Sequence, residues 1–127
     1  MEQKKIAAIL AISIATAAIA EPLPPAQDQE GVIAFGIGGR SCGNWTQWRQ
    51  SKSVNAGLST QWVAGFLSGK NTQSDFSNPQ DDPLRGADFA GLMAWIDNYC
   101  SSHPLESIHA AANMLMDELR ARVQRRR

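Results

Sequence analysis

From Asn44 onward the apolar residues recur mainly three and four apart, which is the period of a helix that buries one face. Asn44 to about Ser51 carries Trp45 and Trp48 on one side of a short first helix. Ser53 or Asn55 can cap a second helix reaching about Gly69, in which Leu58, Trp62 and Phe66 repeat every four residues and Val63 and Leu67 widen the stripe. Gly65 and Gly69, four apart on that side, each cost about 1 kcal/mol of helix propensity and so imply close approach of another helix. A third helix is expected from Arg85 or Ala87 to Ser101, with Phe89, Leu92, Met93, Ile96, Tyr99 and Cys100 inward and Asp88, Asp97 and Asn98 facing elsewhere. Ser102 or His103 ends it. Pro104 then suits a first-turn position and Glu106 the first turn of a fourth helix with the stripe Leu105, Ile108, Ala112, Leu115, Leu119 and Val123.

Two stretches break this pattern. Val32–Phe35 is a short apolar run, suited to an edge strand or an extended segment lying on a core. The glycines that follow, Gly36, Gly38 and Gly39, lack the spacing of a dinucleotide fingerprint and the Lys-Ser/Thr of a phosphate loop, so they predict a turn leading to Cys42. Residues 70–83 are polar, contain two prolines and offer one anchor, Phe76. The pattern therefore predicts an all-α fold, a small bundle of about four helices.

The N-terminus reads differently. A basic start with Lys4 and Lys5, an apolar run Ile6–Ile19 and a small-x-small site Ala18-Ile19-Ala20 form the layout of a secretory signal peptide over residues 1–20. The run is shorter than the roughly 20 apolar residues that span a bilayer. Residues 21–40, rich in proline and then glycine, are expected as a flexible leader to a helical domain at 41–127. The whole chain balances 12 basic against 12 acidic residues, an average over unlike pieces. Cleavage after Ala20 leaves 10 bases and 11 acids. Five of those bases, Arg120, Arg122, Arg125, Arg126 and Arg127, lie in the last eight residues, so residues 21–119 are acidic. Asp117 and Glu118 are placed to pair with part of that tail. Without a basic excess the chain does not suit nucleic acid.

Export decides how the cysteines are read. Cys42 and Cys100, the sole pair, are expected to form a disulfide in an oxidising compartment such as the periplasm. The alternatives are a free thiol and a metal site using Cys100 and His103, although a stable zinc site takes three or four ligands. Catalysis finds little footing: no Gly-x-Ser-x-Gly elbow accompanies His103 and His109, Asp81-Asp82 sit in a proline-flanked loop, and Asp117-Glu118 form a helix-surface pair. His109 suits a partly exposed structural position. No enzyme, cofactor or metal is expected. Trp95 lies about a quarter turn off its helix's apolar face and is the first candidate for contact with a partner protein, with Phe76 and Trp48 as further candidates.

Three short motifs carry a resemblance: Ser41-Cys42-Gly43-x-Trp45, then Gly65-Phe66-Leu67-Ser68-Gly69, then Asp97-Asn98-Tyr99-Cys100-Ser101-Ser102-His103-Pro104-Leu105 before an Ala-rich helix. Over about residues 41–119 the chain resembles the HdeA/HdeB superfamily of small periplasmic acid-stress chaperones. It is also similar to periplasmic immunity proteins that neutralise type VI secretion amidase effectors. The resemblance implies a helical domain with bonded cysteines that binds other proteins, as clients or as one specific partner, a second copy of the chain included. With every mature acid protonated and both histidines charged, side-chain charge would swing from −1 to +12, which permits an acid-triggered mechanism.

Overall fold

The computed structural model describes residues 34–74 and 76–127. The signal peptide expected over 1–20, the leader up to Ile33 and Asp75 lie outside the described residues. Four helices follow in order: α1 (Cys42–Ser51), α2 (Val54–Thr72), α3 (Phe89–Ser102) and α4 (Ile108–Arg125), with 3₁₀ turns at Gly36–Gly39 and Pro79–Asp81. No strand occurs among the described residues, only an isolated bridge between Ser41 and Ser107. Of the segment Val32–Phe35, the described part is extended at Phe35 and joins no strand. The all-α fold with one disulfide is as expected. Cys42 and Cys100 are bonded, joining the start of α1 to the end of α3 with Cα atoms 4.6 Å apart.

Capping chemistry sets the helix limits. Ser41 Oγ accepts from the Asn44 N–H and starts α1 two residues earlier than periodicity suggests. Lys52 stops α1 in the left-handed conformation at φ 51°, and α2 begins two residues later. Asp88 Oδ1 accepts from the Gly91 N–H at 2.7 Å, so α3 starts at Phe89 and not at Arg85 or Ala87. Gly86, at φ 73°, forms the turn that precedes it.

The start of α4 is the clearest departure. Ser107 Oγ accepts from the Ala110 N–H at 3.0 Å, so the helix begins at Ile108, and Pro104, Leu105 and Glu106 form a turn outside it. Leu105, expected in the apolar stripe, is 96% exposed. The turn instead serves α1. The Cys42 N–H donates to the Glu106 carbonyl at 2.7 Å and the Gly43 N–H to the Pro104 carbonyl at 2.9 Å, while the Ile108 N–H donates to Arg40 at 2.8 Å. These bonds satisfy N–H groups that a helix start leaves unpaired.

The core is built from Trp45 of α1, Val63 and Leu67 of α2, Met93 and Ile96 of α3, and Ile108, Ala111, Ala112, Leu115, Met116 and Leu119 of α4, closed around the disulfide. Each large side chain so buried contributes about 1.5–3 kcal/mol. α1 packs on α3 and α2, while α4 packs on α2 and α3. The Gly36–Gly39 turn, in the span read as leader, packs against α2 and α4 with Gly38 buried. A Cβ at Gly38 would run into the Trp62 indole, so this glycine provides the close approach. Gly65 and Gly69 do not: nothing lies within 4 Å of a Cβ built at either, because they face away from the bundle.

Candidate functional site

The three aromatic residues expected to meet a partner are not brought together. Trp95 is half-buried at the α3–α4 seam, stacked on Tyr99 at 5.5 Å, with Tyr99 stacked in turn on His103 at 4.2 Å. The Trp95 side also lines a slot of about 190 Å³ with Gly91, Leu92, Leu115 and Leu119. Phe76 sits in a different cleft, beside Arg120, Val123 and Arg127. Trp48 lines a third groove, beside Arg40, Asn44 and Asn55. Tyr99, expected among the inward residues of α3, belongs to the half-buried stack, and burial together with the Glu106 charge raises its hydroxyl pKa.

The groups considered for chemistry are engaged structurally. Asp82 Oδ1 accepts from Asn71 at 3.0 Å and from the Leu84 N–H at 2.8 Å, and Asp81 accepts from Arg127 Nε at 3.2 Å, so the two carboxylates pin a loop. Asp117 and Glu118 pair with the arginine tail as expected: Arg122 reaches Glu118 at 2.9 Å, Arg125 at 3.1 Å, and Arg120 lies 3.8 Å from Asp117. His103 Nδ1 lies 2.9 Å from the Tyr99 carbonyl at the end of α3. Among the described residues no group of three or more His, Cys, Asp or Glu is placed to share a metal ion. No described helix is long and apolar enough to cross a membrane.

Asp97 lies off the apolar face of α3, as expected, but it is engaged by a neighbouring helix. Its carboxylate lies against α1, accepting from Trp45 Nε1 at 2.7 Å and from Arg49 Nε and Nη2 at 2.9 and 2.7 Å. Burial works to raise its pKa, but the bonds from Arg49 and Trp45 and the guanidinium charge outweigh this and hold it below the usual carboxylate value.

The most unusual surface is on α2. Val63 and Leu67 point into the core, whereas Leu58, expected inward with Trp62 and Phe66, is 56% exposed, and Trp62 and Phe66 are half-buried. Val54, one turn earlier, is 78% exposed. Four apolar side chains at four-residue spacing thus form a ladder along α2 that runs from open surface at Val54 and Leu58 to the packed seam at Trp62 and Phe66. Trp62 and Phe66 stack at 5.3 Å, and the Trp62 N–H donates to the carbonyl of Phe35, itself 83% exposed. His109 of α4 stands edge-on to both rings at 6.3 and 5.1 Å, and burial, then the Lys70 charge, lower its pKa. Lys70 is the single charged residue among the 19 of α2. The sequence signal was that absence of charge together with two parallel apolar stripes, more than one buried face requires.

Comparison with known protein families, curated proteins and solved structures finds no match. The likeness to periplasmic chaperones therefore rests on the motifs quoted above.

Proposed function

We propose that this chain is an exported, periplasmic, non-enzymatic protein-binding domain of the HdeA-like kind, and that α2 is its client-binding face. The observation that carries this is the apolar ladder of α2, exposed at Val54 and Leu58 and half-buried at Trp62 and Phe66, with exposed Phe35 beside it, on a helix with one charge. Contiguous exposed apolar surface of this sort suits contact with other proteins, including the unfolded segments that acid exposes. Cross-linking of α1 to α3 suits export, and protonation of the carboxylates supplies the charge swing on acidification.

The test is light scattering by unrelated proteins brought to about pH 2–3, where their carboxylates are protonated. The mature chain is expected to suppress that scattering, and Val54→Gln with Leu58→Gln, polar at any pH, to lose most of the suppression while keeping the helical spectrum. No suppression, with one stoichiometric partner recovered from a periplasmic extract, would replace this assignment with that of an immunity-type inhibitor.

A further inference from the structure

The groove around Trp48 uses none of the residues of the α2 ladder. It lies between the Gly36–Gly39 turn, α1 and the start of α2, measures about 380 Å³, and is lined by Gly36, Ile37, Arg40, Asn44, Trp48 and Asn55. That volume is in the range of small-ligand sites.

Its chemistry is one-sided. Arg40 is exposed, and among the described residues no carboxylate lies within ion-pair distance of it, whereas Arg49, Arg120, Arg122, Arg125 and Arg127 each have an acidic partner. Asn44 uses its Oδ1 to accept from Ser41 Oγ, which leaves its amide N–H groups for the groove. Trp48 Nε1, Asn55 Nδ2 and the Arg40 guanidinium have no acceptor among the described residues. Residues 31–74 contain Arg40, Arg49, Lys52 and Lys70 and not one Asp or Glu, and Arg49 is neutralised by Asp97. The groove therefore presents hydrogen-bond donors and positive charge around an aromatic ring, with no acid among the described residues to compete for them.

We propose that this groove binds an acidic saccharide, a sugar ring bearing a carboxylate. The carboxylate takes the Arg40 guanidinium, whose planar fork matches it. Ring hydroxyls take the Asn44 and Asn55 amides and the Trp48 N–H, and the apolar face of the sugar lies against the indole. A peptide terminus would supply the charge only: among the described residues the groove has no unpaired strand edge for an extended backbone.

Titration of the mature chain with trigalacturonate, followed by tryptophan fluorescence and by the Trp48 indole N–H resonance, tests this. Neutral maltotriose and a tripeptide with a free C-terminal carboxylate serve as comparisons. Saturable binding is expected for trigalacturonate alone, weakened at least about tenfold in Arg40→Gln, equivalent to about 1.4 kcal/mol. The same loss is not expected in Arg126→Gln. Thermal midpoints for the variants establish that they fold. The proposal is overturned if trigalacturonate shows no saturation below about 10 mM, if maltotriose or the tripeptide binds as tightly, or if Arg40→Gln binds like the parent. Because Arg40 and Trp48 lie outside the α2 ladder, this outcome is independent of the scattering assay.

Discussion

Asp97 shows how much one side chain can hold. The Trp45 indole is fully buried, so its N–H has no water to turn to, and the acceptor it uses is Asp97 Oδ1. Asp97→Ala is expected to cost about 1–3 kcal/mol, the penalty of stranding a buried donor, whereas Asp97→Asn keeps an acceptor and costs less. Urea denaturation of the two variants measures the difference. Arg49 and Asp97 are each more than a third exposed, so their ion pair itself adds little beyond this. Since the folded state lowers the Asp97 pKa, its contribution is present above the unfolded value of about 4 and is lost as pH falls through the lower folded value. The advantage of the parent over Asp97→Asn should accordingly shrink on acidification. The helical wheel placed Asp97 off the apolar face of α3, and that was right. It could not show that α1 brings an indole and a guanidinium to the same side, because that depends on which helices become neighbours.

Among the elements, α2 and α4 show where periodicity misleads. In α2 both apolar stripes repeat every four residues, and only packing reveals that Val63 and Leu67 are inside while Leu58 is largely outside. In α4 a proline that suits a first turn competed with a serine three residues later, and the serine hydroxyl, able to accept an N–H, won. The seam between these helices holds His109 against Trp62 and Phe66. Folding lowers the His109 pKa, so the unfolded chain takes up its proton first as pH falls from about 6.5, and stability is lost until the folded imidazole also titrates. The parent is expected to show a lower urea midpoint at about pH 5 than at about pH 7.5. His109→Gln, which cannot titrate, should narrow that gap. An equal gap in both proteins would place the pH dependence on other groups.

At the scale of the whole molecule, the balance of 12 bases and 12 acids resolves into blocks. Residues 31–74 have four bases and no acid, residues 76–119 have seven acids and one base, and the last eight residues have five arginines. Ion pairs join these blocks: Arg49 of α1 to Asp97 of α3, and Arg127 to Asp81. The disulfide links the first block to the second across 58 residues of sequence. On the chain-entropy account, closing a loop of that length stabilises the fold by about 4 kcal/mol. Cys42→Ser with Cys100→Ser is expected to lose most of it, as read from the urea midpoint, and mass measurement with and without reductant establishes whether the native chain carries the bond. Both cysteines and the all-α class were legible from residue counts and periodicity. The donor-rich groove was not, because Gly36, Arg40, Asn44, Trp48 and Asn55 converge only when the turn folds back on α1 and α2.

The bridge also divides the molecule in another sense. Its covalent ring contains α1, α2 and α3, whereas α4 lies beyond Cys100 and is held by packing and by the backbone bonds of its first turn. Departure of α4 alone leaves the ring closed, and it would uncover Val63, Leu67, Met93 and Ile96 together. In hydrogen-exchange terms, α4 lies outside the covalent ring yet supplies six of the thirteen buried core residues among those described, so its amides are expected to open only at a cost close to that of unfolding the whole domain.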